Sequence, residues 1–264
     1  MSGNKNILKY LLLITLVSLA GCGSSGQLTS IWDENVIAID GNSAEWLSEL
    51  KHDKDNGIAY AFRNDKDFLY MCIVFIEPSK LMLMRSGAII WFEGEDESKT
   101  FGIRYPLPGL SGEREGQNFD KEMFNRENIN ERTQQYFLKQ TELSIVNKDK
   151  YPLGQFPIIS NKEGIQTKVG YSNDRFVYEL RVPLRGNKNH LYRIDAEPGE
   201  NLSVQFETEE FDLEKMRGGG KSERGDMMPP GGGQRPRQGK GMARRDRVNP
   251  EPLNFSVKVQ LVKK

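Results

Sequence analysis

The chain predicts a mainly β fold: an antiparallel β-sandwich of the jelly-roll or immunoglobulin-like kind, with a short helical insertion and one long Gly/Arg/Pro-rich loop. Three observations carry this. Short runs rich in Val, Ile, Phe and Tyr recur along the chain, each bounded by Asn, Asp or Gly. Helix-like spacing of apolar residues is confined to 118–141. Only two cysteines occur in 264 residues, and one is committed elsewhere, so packed sheets rather than disulfides must hold the fold.

The elements follow in order. Residues 1–21 read as a signal peptide: Lys5 and Lys9 form a positive start, and "YLLLITLVSL" from Tyr10 to Leu19 is an apolar core too short to span a bilayer comfortably. "LAGC", Leu19 to Cys22, resembles the bacterial lipobox. That resemblance implies a diacylglycerol on the Cys22 thiol and a mature chain beginning there. Gly23 in place of Asp then implies the outer membrane. Residues 22–30, "CGSSGQLTS", are expected to be a flexible tether, and 31–264 the sandwich domain.

"VIAID", 36–40, is expected as the first strand. "GIAYAFRND", 57–65, and "DFLYMCIVFIE", 67–77, form a hairpin about "RNDKD". The second of these is apolar almost throughout and should be covered on both faces. Cys72 lies in it and reads as a buried, inert thiol. A helical turn is expected within 78–87, then strands at 88–95 and 99–107. After the helical insertion come a strand at 142–147 and a Pro-containing loop at 150–161. "GIQTKVGYSNDRFVYELRVPL", 164–184, is a hairpin turning at "SNDR", with Phe176, Tyr178, Leu180 and Val182 on one face. Strands at 201–211 and 253–262 complete the sheets. Between them 214–250 holds ten Lys and Arg against four Asp and Glu and almost no branched apolar residue. It cannot bury enough surface to offset its ordering entropy and is expected to be disordered.

Composition narrows the function. Lys plus Arg equals Asp plus Glu, 37 each, so there is no electrostatic case for nucleic acid. No G-x-S-x-G elbow, H-E-x-x-H helix or Walker loop is present, and "RGGGK", 217–221, lacks a strand–loop–helix context. The chain is expected not to be an enzyme.

The ordered set "IDG" and "EW" (Asp40-Gly41 to Trp46), "DKDFLY" (Asp65 to Tyr70) and "YELRVPL" (Tyr178 to Leu184) resembles the family 9 carbohydrate-binding module and the wider DOMON-like sandwiches. The resemblance spans most of 31–262. It implies a sandwich in which Trp46 plugs one open end, and a carbohydrate ligand. In sugar-binding members two aromatics hold the sugar; where one of them precedes the strand matching "GAIIWFEGE", this chain has Leu83, Met84 and Arg85. The candidate ligand-binding residues are therefore Trp91, Arg104, Tyr105 and Trp32: flat rings to stack on a pyranose, and a guanidinium fork for hydroxyls or a carboxylate.

Two alternatives stay open. Some DOMON-like relatives bind b-type haem, for which Met71, Met82, Met84, His52 and His190 are the nearest ligand types. A lipid-tethered scaffold with no small ligand is the other. No cofactor is assigned, although calcium occurs in relatives and "FEGEDESK", 92–99, is the densest acidic run. The partners expected are the membrane through Cys22, a carbohydrate, and a protein or anionic glycan through the basic stretch 214–250.

Overall fold

A computed structural model describes residues 27–108, 129–186, 190–209 and 252–264. The signal segment, Cys22, residues 118–128 of the helical insertion and the basic stretch 214–250 lie outside the described residues. No described helix is long and apolar enough to cross a membrane.

Two sheets form a sandwich. The described strands are β1 (Gln27–Thr29), β2 (Ile31–Trp32), β3 (Lys51–Asp53), β4 (Ile58–Asn64), β5 (Phe68–Phe75), β6 (Ala88–Glu93), β7 (Phe101–Arg104), β8 (Glu142–Val146), β9 (Pro152–Pro157), β10 (Gln166–Ser172), β11 (Arg175–Pro183), β12 (Asn201–Thr208) and β13 (Asn254–Gln260). A seven-stranded sheet runs β1-β13-β12-β6-β7-β8-β9. A six-stranded sheet runs β10-β11-β5-β4-β2, with β3 also on β4. Pairing is antiparallel except at two edges, β1 on β13 and β2 on β4. Two short helices, α1 (Pro78–Leu83) and α2 (Ile129–Leu138), accompany the sheets.

Strict alternation builds the main core. Ile90, Phe92, Ile103, Leu143, Val204, Phe206 and Val257 point inward from one sheet. Phe62, Met71, Ile73, Tyr178, Leu180 and Val182 meet them from the other. The β10–β11 hairpin turns at Asn173 and Asp174, whose φ values of 50° and 59° fit the mirror-image turn that tight hairpins prefer. As its unbroken apolar run predicts, β5 is buried on both faces: Leu69, Met71 and Ile73 face the main core, while Tyr70, Cys72 and Val74 face a second one.

That second core shows where Trp46 goes. Residues 33–50 form a strap across the outer face of the six-stranded sheet, and Trp46 packs there with Ala59, Ala61, Tyr70, Cys72, Val74 and Val177. It therefore covers a sheet face, not an open end of the sandwich. "VIAID" belongs to this strap and pairs with neither sheet, since the small Ala59 and Ala61 leave room for its Ile37 to insert side-on. The strap is latched by a buried carboxylate. Trp46 Nε1 donates to Glu179 Oε1 at 2.8 Å, and the backbone N–H groups of Asp40 and Gly41 donate to Oε2 at 2.9 and 2.6 Å. Gly41, at φ +79°, lies so close to Gly170 of β10 that a Cβ on it would sit 2.6 Å from the Gly170 Cα. Only paired glycines allow that approach.

Two other expectations change. Gln27–Thr29, expected within the tether, is a strand on β13, because Leu28 packs against the core. Residues 152–157, expected as loop, form the edge strand β9; Pro152 and Pro157 stand at its ends, where a missing N–H is tolerated.

Candidate functional site

The outer face of the seven-stranded sheet carries the candidate site, and its shape starts from a glycine. Trp91 on β6 lies opposite Gly102 on β7 and Gln205 on β12. Its neighbours Ile90 and Phe92 point into the core, so Trp91 points out. A Cβ on Gly102 would sit 2.9 Å from Trp91 Cε3, 2.7 Å from Ile89 Cγ2 and 2.8 Å from Val146 Cγ2. The indole therefore lies down over the bare Gly102 backbone, and Trp91 is only half-buried.

One side of this platform is walled. Ile89 and Val146 face outward with Trp91 yet are fully buried. The β8–β9 turn folds back over them: Arg104 donates from Nη2 to the Lys150 carbonyl at 3.4 Å, and Lys150 Nζ lies 2.9 Å from Glu207 Oε1. Arg104 also pairs with Glu209 at 3.0 Å, while its Nε is buried without a partner. The wall is thus a chain of matched charges, Glu209–Arg104 beside Lys150–Glu207. On the open side, β12, β13 and β1 present amides and hydroxyls. Gln205 donates to Asn254 and Gln27 to Asn201, each at 3.3 Å.

The four candidate ligand residues separate. Trp91 and Arg104 share this face. Tyr105 does not: one residue past Arg104, it faces the main core at 1% exposure, with its ring 5.9 Å from that of Tyr178. Burial raises its hydroxyl above the usual phenol range. Trp32 stands on β2, an edge strand of the other sheet, half-buried, with Nε1 buried and unpartnered. Alternation separates Arg104 from Tyr105; reading "GIRYP" as one patch ignored it. The residues missed were Gly102, Lys150 and Gln205, and only Gly102 carried a signal, an isolated glycine within a strand pattern.

The other candidates have structural places. Met71 and Met84 are buried in the main core, and His52 is exposed on β3. Asp96 caps a short turn by accepting from the Ser98 N–H, and Lys99 of the same acidic run lies 2.8 Å from Asp195. Among the described residues no three His, Cys, Asp or Glu side chains converge as a metal site.

No family model and no curated protein matches the chain. Among solved structures it is similar to a family 9 carbohydrate-binding module from Caldicellulosiruptor kristjanssonii in complex with glucose, at 10% identity and TM-score 0.34, over 71% of this chain and 80% of that one. The same module in complex with cellotriose is similar at 11% identity and TM-score 0.33, over 71% of this chain and 78% of that one.

Proposed function

We propose that this protein is a non-catalytic, lipid-anchored module of the bacterial envelope that binds carbohydrate on the outer face of its seven-stranded sheet. The observation that carries the reading is the Trp91 indole laid flat over Gly102, half-exposed beside a row of amides. A flat aromatic face suits the C–H face of a pyranose, and amides around it suit the hydroxyls. Arg104 belongs to the wall and acts as a boundary group; Tyr105 acts only by holding β7 in the core.

The test is a panel of oligosaccharides against the detergent-solubilised full chain, read by calorimetry and by thermal midpoint. A ligand at about a hundred times its Kd adds roughly 2.7 kcal/mol. Trp91→Ala should abolish that gain and leave the unliganded midpoint within about two degrees. Binding unchanged by Trp91→Ala would remove the site, and a flat panel would turn the reading to the scaffold alternative.

Anchoring rests on "LAGC" alone, with Cys22 as the acylated residue and the outer membrane as the location. Palmitate labelling and membrane fractionation of Cys22→Ser test it: both signals should vanish. The basic stretch 214–250 is the proposed contact for a protein or anionic glycan partner. Its roots, Glu209 and Pro252, lie at the end of the sheet from which β1 also enters, since β1 runs parallel to β13.

A further inference from the structure

The carbohydrate reading leaves open whether Trp91 holds a single sugar or one unit of a chain. The face around it is asymmetric. Toward β8 and β9 it is closed, because the turn carrying Lys150 crosses the sheet and buries Val146 and Ile89. Toward β1 it is open and flat. From Trp91 the register passes to Gln205 on β12 and Ser256 on β13, and the next row passes from Ser203 to Lys258 and Gln27. Ser256, Lys258 and Gln27 are exposed, and no described aromatic or aliphatic side chain rises from this part of the face. Adjacent strands lie about 4.8 Å apart, a step close to one hexose along an extended chain.

The charge pattern is equally one-sided. At the wall Arg104 and Lys150 are already matched by Glu209 and Glu207. The open part consists of amides and hydroxyls with Lys258 at its far side. Such a surface has hydrogen bonds to give and take, but no cluster of unmatched cations for an acidic polymer.

Resting on the carbohydrate reading, we propose that the site takes an uncharged linear glycan of three or more sugars, laid across the strands from Trp91 over Gln205 and Ser256 toward β1. The unit on Trp91 abuts the Lys150 wall, and the chain extends in one direction only. Each further sugar gains contacts until β1 ends the sheet, so affinity climbs with length and then levels.

The experiment uses the full-length protein in detergent and three neutral ladders, cello-, xylo- and chito-oligosaccharides from one to six units, with polygalacturonate as the acidic comparison. In the ladder that binds, affinity should rise at least tenfold between one and four units and little beyond. Ser256→Leu removes a hydroxyl and raises a branched side chain from the flat face. It should cancel that rise and leave the monosaccharide affinity within twofold. Gln155→Leu, on the walled side, should change neither. Binding that is independent of length, or a rise lost in Gln155→Leu but kept in Ser256→Leu, overturns the extended site while the Trp91 reading stands. Polygalacturonate bound more tightly than every neutral ladder overturns the uncharged class. Loss of all binding in none of the variants, Trp91→Ala included, overturns both readings.

Discussion

Glu179 puts a carboxylate where the chain has every reason to avoid one. It sits on the outer face of β11 beneath the strap, fully buried, beside Cys72 in the register. Burial pushes its pKa up to about 7 from 4.5, against the pull of the Gly41 and Trp46 N–H donors; Asp40 and Glu45 add to the rise. Between those two values the folded protein keeps a proton that the unfolded chain has released. The contribution of this group to stability is therefore fully present below pH 4.5 and is lost as pH rises through 7, by about 3 kcal/mol in all. Glu45 is shifted in the same direction and adds to the same slope. Urea unfolding at pH 5 and pH 8 measures it. Glu179→Gln should flatten the pH dependence and cost about 1–3 kcal/mol at pH 8, since its amide N–H cannot accept from the strap; an equal slope in both proteins would refute the assignment. Gly102 makes a second residue-scale prediction. Gly102→Ala drives a Cβ into Trp91, Ile89 and Val146, which lie 2.7 to 2.9 Å from it. The expected result is a loss of about 1–3 kcal/mol, a shifted indole emission maximum and weakened sugar binding together. Intact emission and binding would mean that Trp91 does not need the bare backbone.

The strap is the element whose position follows least from its own sequence. Arg63 holds it beside Glu179. Its guanidinium takes Glu49 through Nε and Nη2, both at 2.7 Å, and Asp33 through Nη1 at 2.9 Å, while lying 4.9 Å from the centre of the Trp46 ring. Removing it leaves two carboxylates facing each other in a half-buried site. Arg63→Met should cost about 3 kcal/mol and speed amide exchange across 33–50 before the sheets open; exchange that rises uniformly over the molecule would show that the strap is not a separate unit. Strands such as β5, β11 and β13 were legible because their apolar period is two and their turns carry Asn and Asp. "VIAID" has the same local pattern and forms no strand, because what decides its place is Glu179, 139 residues away from Asp40 along the chain. Period alone cannot carry such a partner. The same limit applies to the site. Trp91 and Arg104 could be picked out as residue types, and alternation alone removes Tyr105, but the Lys150 wall depends on a turn folding back, which no local pattern encodes.

At the scale of the molecule the two chain ends are tied at one corner. Ser30 Oγ donates to the buried Asn64 side chain, the Val262 N–H donates to Ser30 Oγ at 3.0 Å, and Asn64 Nδ2 donates to the Val262 carbonyl at 3.0 Å. Asn64 thereby connects β4 to the crossing from β1 to β2 and to the end of β13, so one side chain links both sheets. The basic stretch between β12 and β13 is attached quite differently. Its flanking strands are direct antiparallel neighbours, paired from Asn201 with Gln260 to Glu207 with Asn254. A few residues suffice to join them as a hairpin. If 211–250 adds no packing, replacing it by a four-residue turn shortens that closure about tenfold and stabilises the fold by roughly 2 kcal/mol, since closure entropy grows with the logarithm of length. The Thr208 N–H bond to the Leu253 carbonyl, 2.9 Å, would become the last rung before the turn. Urea midpoints of the full and shortened chains decide the point. A gain near that size with unchanged sugar binding makes the stretch a free arm, available to a partner at the same end of the sheet from which β1 enters. A loss of stability would mean that it packs on the sandwich and that its composition misled, and a loss of binding alone would place it at the glycan face.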